Sequence, residues 1–379
     1  MIARALLVAT LALLGSGCCD RDDCEPCKDA GAEGPLPNVG DIGFIDAFPP
    51  LDIGGTCPLQ RMIWGGGEPI VDVFASGEQV LVVHEHGVAL VDPHGKVLAS
   101  RTHANTIETA AFDGAVLAVT DKSQLTYSGP GLQPASTVSL TEPCSDTVMV
   151  SGARLVCGGA TTYPRYAYVF DLKLGKLVTK GEPKGFAFTT KHWRPMRRVP
   201  NTDDFVTYYD GSPTQFMLYR VDPGTHEVIH VCDDLSNEKD GGPVYAFDTG
   251  GESLVTQTGA IHRILGTECA ALPTGYFFKL GTLASLAYKE YFGGMDDGNA
   301  QGQIVALVGS VESDITSPCK NGCSLTKIKV GTDTIVAKRD VALSMVKLVR
   351  VRYDAACGGL LVAYEDTAGL YRVDRLGAQ

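Results

Sequence analysis

The chain has 379 residues and a formal net charge of −12, from 44 Asp and Glu against 32 Lys and Arg. That balance excludes the broad basic surface that a nucleic acid or an anionic lipid would require. Twelve cysteines are too many for a cytosolic chain of this size and point to an oxidising compartment with disulfides.

The first seventeen residues have the layout of an export signal: Arg4 near the start, the apolar run Ala5 to Leu14, then Gly15, Ser16 and Gly17. This stretch of ten residues, all apolar but Thr10, falls short of the ~20 that a helix needs to span a bilayer, so cleavage is expected. No later apolar run is long enough to span as a helix. The stretch LLGSGC resembles the lipobox of bacterial lipoproteins, departing from it at Gly15, where a larger aliphatic residue is usual. The resemblance implies a lipid on Cys18, which becomes the new N-terminus and holds the protein to a membrane on the periplasmic or outer-surface side of a bacterial envelope. The competing reading is ordinary secretion with Cys18 as a disulfide partner. Cleavage after residue 17 removes one Arg and takes the charge from −12 to −13.

Residues 18–56 are rich in Asp, Gly and Pro and read as a flexible acidic tether. Within it, Cys24 and Cys27 of CEPC read as a small local disulfide, since no second Cys or His pair at zinc-binding spacing is nearby.

From Cys57 to the end, short apolar stretches alternate with Gly, Asp, Asn and Pro every eight to twelve residues, the spacing of an all-β domain. VALVDPHGKVLAS (88–100), AYVFDLKLGKLVT (167–179) and MLYRVDPGTHEVIHV (217–231) each carry a strand ending in Asp, a turn containing Gly, and a second strand. In such turns Asp bonds its own backbone and Gly accepts a positive φ. Hairpins joined by SGEQ, FDG, SGA and TGGE precede these or weaker copies. The module of four antiparallel strands resembles a propeller blade of the bacterial β-propeller class, WD40- and quinoprotein-like in architecture. Seven units are counted: 70–101, 107–140, 144–180, 194–231, 243–273, 284–340 and 346–374. Insertions in the fourth and sixth leave six or eight open.

The phrase LYRVD occurs at 218–222 and again at 370–374, where the chain runs out before a fourth strand. Arg61 to Trp64 is expected to supply it, joining the N-terminal part of the domain to the last unit and leaving no open edge there. The cysteines fit this layout: Cys144 with Cys157 across a hairpin, Cys319 with Cys323 in CKNGC, Cys57 with Cys357 across the closure, and Cys232 and Cys269 near outer strands. Eleven cysteines remain beside Cys18, so one is left over.

No HExxH, GxSxG, Walker or GxGxxG motif is present, and no cofactor is called for. The Asp92–Lys96 and Asp171–Lys176 turns look like those of quinone-dependent dehydrogenase propellers. That family has a Trp in most blades, whereas this chain has only Trp64 and Trp193, so the quinone is not carried over. His84 and His86 share a strand face and are weak candidates for a metal, against the plainer reading of strand-end histidines. The loops 232–242 and 293–302 offer acidic oxygens without a calcium-binding register. The basic knot Lys191–Arg198 reads as a solvated loop. Tyr163, Tyr166, Trp193, Tyr208 and Tyr209 are candidates to stack on a sugar or anchor a protein, against packing between blades. The expectation is a non-enzymatic binding scaffold for a protein or glycan. The alternative is a propeller hydrolase or lyase with its site assembled from several blades.

Overall fold

The computed structural model describes residues 57–377, apart from 58, 134, 161–165, 186–195, 200–201, 210–214, 234–243, 248–252, 257–260, 266–267, 272–291, 297–302, 310–318, 320–321, 330–333 and 355. Backbone alone is described for the strands between residues 244 and 304. Among the described residues there is no helix, and the strands form seven antiparallel sheets of four.

Six sheets are built from consecutive strands. The first holds β2 (Ile70–Ser76), β3 (Gln79–His84), β4 (Gly87–Val91) and β5 (Val97–Thr102). The second holds β6 (Thr109–Phe112), β7 (Leu117–Thr120), β8 (Gln124–Ser128) and β9 (Ala135–Ser139). The third holds β10 (Cys144–Val150), β11 (Arg154–Gly159), β12 (Ala167–Asp171) and β13 (Lys176–Gly181). The fourth holds β14 (Arg197–Arg198), β15 (Asp204–Tyr209), β16 (Gln215–Val221) and β17 (Val228–Asp233). The fifth holds β18 (Val244–Phe247), β19 (Ser253–Thr256), β20 (Ile261–Leu265) and β21 (Glu268–Ala271), and the sixth β22 (Phe292–Asp296), β23 (Gln303–Gly309), β24 (Cys323–Lys329) and β25 (Thr334–Val341).

The seventh sheet takes β26 (Met345–Asp354), β27 (Gly359–Asp366) and β28 (Tyr371–Leu376) from the end of the domain and β1 (Arg61–Gly66) from its beginning. Arg61 pairs with Arg375, Met62 with Asp374 and Trp64 with Val373. The truncated LYRVD unit is therefore completed by the segment expected to complete it. Ile63, 2% exposed, supplies the apolar anchor of β1.

Burial separates the strands of each module. β3, β7, β11 and β27 are buried along most of their length, whereas β5 and β9 are mostly exposed. A strand buried on both sides belongs to a sheet covered on both faces, and the apolar clusters show what covers them. Leu81 and Val83 of the first sheet pack with Ala110 and Leu117 of the second. Ala118 and Leu125 of the second meet Leu155 and Phe170 of the third. Val156 and Val169 of the third meet Phe205 and Met217 of the fourth. Val305 and Leu325 of the sixth meet Leu360 and Val362 of the seventh. Leu361, Ala363 and Val373 of the seventh meet Val73, Val80 and Val82 of the first.

Polar contacts run the same way. Arg61 on the outer strand of the seventh sheet donates to Pro93 O in the β4–β5 turn at 3.2 Å, and Thr179 on β13 to Thr225 O in the β16–β17 turn at 3.3 Å. Arg101 on β5 donates likewise to Leu132 O before β9. The backbone irregularities recur too: the register slips early in β2, β10, β18, β22 and β26 against their second strands. A repeated slip at one place in the module is a repeated bulge, and it marks the units as copies of one design.

The Asp–Gly turns behave as their residues dictate, with one exception. Asp92 Oδ1 accepts the N–H groups of His94 and Lys96 at 2.8 Å each, and Gly95 takes φ +88°. Asp171 and Gly175 repeat the device, as do Asp366 and Gly369. After Asp222 the positive φ, +59°, falls on His226 instead of Gly224. The turn after Asp222 is one residue longer than that after Asp92, so the left-handed position is the fourth after the Asp, as at Gly175, and there the chain carries His.

Candidate functional site

Among the described residues, the first strand of each of the first six sheets, and β26 in the seventh, ends its sheet and presents a row of N–H and C=O groups with no further strand to pair them. These edges lie near one another: β2 is adjacent to β6 and β26, β10 to β6 and β14, and β22 to β18 and β26. Two of the edges carry an Asp just past the bulge. Val73 N–H donates to Asp72 Oδ1 at 2.8 Å, and Thr147 N–H donates to Asp146 Oδ1 at 2.8 Å. Each carboxylate thus satisfies an edge N–H of its own strand. Asp146 Oδ2 also accepts Met196 N–H at 2.6 Å, which ties the third sheet to the start of the fourth.

Facing them is β26, with Lys347, Arg350 and Arg352. A regular strand would place residues 347 and 350 on opposite faces. The register shifts between Leu348 and Arg350, so Lys347, Arg350 and Arg352 stand opposite Glu365, Ala363 and Leu361, which share one face of β27. Arg352 reaches Asp72 with both prongs of its fork, Nε to Oδ1 at 3.0 Å and Nη2 to Oδ2 at 2.5 Å. Its guanidinium carbon also lies 5.3 Å from the centroid of the Phe74 ring. Arg350 Nε is 3.7 Å from the same Asp72 Oδ2, and its side chain is 44% exposed. Beside the charges, Thr109 Oγ1 bonds Thr120 Oγ1 at 2.8 Å and Thr147 Oγ1 at 3.0 Å, joining the second sheet to the third through buried hydroxyls.

The two carboxyl groups are pushed in opposite directions. Burial works to raise Asp72, but the charges of Arg352 and Arg350, with hydrogen bonds from Arg352 and Val73, hold it below the usual carboxylate range. For Asp146 burial wins, pushing it up to about 6 against the N–H groups of Met196 and Thr147 and the more distant pull of Arg350 and Arg352. The arrangement offers an accessible guanidinium, a carboxylate already filled by a neighbouring one, and a carboxyl that takes up a proton in mild acid. Such a set can hold an anionic group or move a proton. Among the described residues, the groups bonded to Asp146 are backbone N–H groups and no nucleophile.

None of these four residues stood out in the sequence as a site. Of those that did, His84 Nδ1 bonds Glu68 Oε2 at 2.6 Å, His86 Nδ1 lies 3.8 Å from the same atom, and Trp64 stacks on His84 with centroids 5.8 Å apart. Among the described residues no group of three His, Cys, Asp or Glu side chains is placed to hold a metal ion. Tyr166 is half-buried with Lys180 Nζ 5.2 Å from its ring centroid, and the same ammonium is 5.2 Å from Tyr168. Tyr168 O–H donates to Glu142 Oε1, and burial together with that carboxylate pushes the phenol up to about 12. Tyr208 and Tyr209 end β15, with their side chains outside the described residues, as Tyr163 and Trp193 are altogether. The aromatic set is therefore described only at Tyr166.

Three disulfides match the expected pairs: Cys57–Cys357, Cys144–Cys157 and Cys319–Cys323. Cys232 is disulfide-bonded and lies on β17, adjacent to β21, which carries Cys269; the Cys269 side chain is outside the described residues. Cys18, Cys24 and Cys27 also lie outside them.

No protein-family model matches the chain, and no curated protein sequence matches it.

Proposed function

We propose that the chain is a membrane-anchored, extracytoplasmic seven-bladed β-propeller lipoprotein that serves as a binding scaffold for a protein or glycan. The observation that carries the propeller reading is the order of packing. Apolar clusters join the first sheet to the second, the second to the third, the third to the fourth, the sixth to the seventh, and the seventh back to the first, and between the fourth and the sixth the strands continue the order, β15 beside β18 and β18 beside β22. Sheets packed face to face in succession, with the last against the first, close on themselves, and a closed set leaves only short edges at the centre and rim. The strand β1 and the Cys57–Cys357 bond support closure at that seam.

The anchor rests on the residues before Cys18 and places residues 18–56 as a tether between lipid and domain. Mass spectrometry of the mature N-terminus tests it: a diacylated or triacylated Cys18 is expected, and an unmodified N-terminus at any other residue refutes it. The scaffold reading is tested by presenting the mature chain to envelope proteins and envelope glycans in parallel, saturable binding to one being the expected outcome.

A second reading, a hydrolase or lyase working at the open edges of the first strands, is favoured by Asp146, whose raised proton affinity suits an acid–base group. Turnover of a glycan or ester substrate that Asp146→Asn abolishes would replace the scaffold reading with this one.

A further inference from the structure

The geometry points to Arg350 as an anion-binding residue that takes a small oxyanion, a carboxylate or sulfate group, at the open edges of β2, β10 and β26. This deepens the binding reading and rests on its closed arrangement of sheets, in which the edges of the first strands lie near one another.

Charge and geometry favour it independently. Asp72 has two oxygens, and Arg352 occupies both. Arg350 is left with one long contact to the same oxygen, 3.7 Å, and among the described residues its guanidinium makes no hydrogen bond. A guanidinium carries five N–H donors in a planar fork suited to a two-oxygen anion. Nothing in β26 requires the fork to be there for packing, since the apolar contacts of that strand fall to Met345, Leu348, Val349, Val351 and Tyr353. Arg350 and Arg352, two residues apart, share a face of the strand, and the bulge at Val349 brings Lys347, which a regular strand would have parted from them, onto that same face.

Among the described residues the charges acting most strongly on Asp146 are Arg350 and Arg352 of β26, with Asp72 of β2 beyond them; Lys347 on the same face of β26 stands opposite Glu365 of β27, a pair of opposite sign that leaves the sum unchanged. With Asp146 protonated, the cluster holds two guanidiniums against one carboxylate, an excess of one positive charge. With Asp146 ionised the excess disappears. An oxyanion therefore binds more tightly in mild acid than above neutrality, which a solvated surface arginine would not produce.

The test is calorimetric titration of the mature chain with sodium sulfate and sodium acetate, with glucose as the neutral control. Saturable millimolar binding of at least one anion and none of glucose is expected. A charge-assisted hydrogen-bond pair lost from such a site weakens binding by roughly tenfold or more, so Arg350→Gln is expected to show that loss. Lys122→Gln, the same charge change at a side chain 81% exposed on a hairpin, should leave binding unaltered. Wild-type binding should also weaken several-fold from about pH 5 to about pH 7.5, and Asp146→Asn should flatten that dependence. Absence of anion binding, equal losses in the Lys122 and Arg350 variants, or binding independent of pH overturns the proposal. Should Arg350→Gln fail to fold, Arg350→Lys decides, because it retains the charge and loses the fork; unchanged affinity then refutes. Partner binding by the mature chain is measured separately, so an inert Arg350 leaves the scaffold reading standing.

Discussion

Removal of the Cys57–Cys357 bond should cost more stability than removal of any other described disulfide. The bond links residues 300 apart in sequence, against 13 for Cys144–Cys157 and 4 for Cys319–Cys323. In the chain-entropy account the stabilisation grows with the logarithm of the closed loop, giving about 6 kcal/mol for the first, about 3 for the second and about 2 for the third. The logarithm makes the first figure insensitive to the smaller loops nested within it. Measured values for native disulfides usually run to roughly 2–5 kcal/mol, so the ranking is firmer than the sum. It also gains from structure, because the bond holds Cys57 beside β1, whose loss would open the edge of β28. Cys57→Ser/Cys357→Ser and Cys144→Ser/Cys157→Ser should be compared by guanidinium unfolding, with peptide mapping to verify the remaining bonds. The first variant is expected to lose at least about 1 kcal/mol more than the second. A smaller loss would show that β1 and its neighbours hold the seam without the bond, and the reasoning from loop length would fail.

Arg375 and Asp354 are 1% and 0% exposed and bonded to each other, and Arg375 also donates to Glu78 O at 2.7 Å in the first sheet. Arg375→Met strands a buried carboxylate and should cost about 3–5 kcal/mol, whereas Arg375→Met/Asp354→Leu should recover a large part of it in thermal or denaturant unfolding. Deletion of residues 57–66 removes β1 and exposes the edge of β28, so oligomers or aggregates are expected by size-exclusion chromatography; a stable monomer would show that the seventh sheet does not need its fourth strand. Asp146 is pushed up to about 6 from 3.8, so the folded state binds more protons than the unfolded one between those values. Stability attributable to it therefore falls as pH rises through that window, by at most roughly 3 kcal/mol, and is level above it. Asp146→Asn should flatten the dependence measured by denaturant unfolding at several pH values, and parallel curves for the two proteins would refute the shift.

The modular repeat was legible because each module announces itself at its turns. An apolar strand ending in Asp92 or Asp171 and followed by Gly within four residues can do little else than turn, since the carboxylate takes up the loop N–H groups and Gly accepts the left-handed backbone. The unpaired copy of LYRVD identified the unit lacking a strand, and PLQRMIWGG was the segment without a unit. The disulfides at 57–357, 144–157 and 319–323 followed from that layout. The exception at His226 is not legible in the sequence: Gly224 is the only glycine of its turn, but turn length decides which residue takes the positive φ.

The charged cluster is hidden in the sequence for a different reason. Asp72, Asp146, Arg350 and Arg352 come from three modules and are separated by up to 280 residues, so no spacing links them. The one local cue, VKLVRVRYD, misleads when read at a period of two, which sets Lys347 with Val349 and Val351. A single added residue at Val349 reverses that assignment, and bulges leave little trace in a sequence read alone. The bulge in β2 and its counterpart in β10 lie just before an Asp that bonds the next N–H, so the same irregularity that bends the edge also fixes where the carboxyl points. Repetition is thus the useful signal. Where several modules share a bulge early in the first strand, the residues just past it occupy equivalent places at the open edges, and aligning the modules on the bulge instead of on their turns brings Asp72 and Asp146 into register.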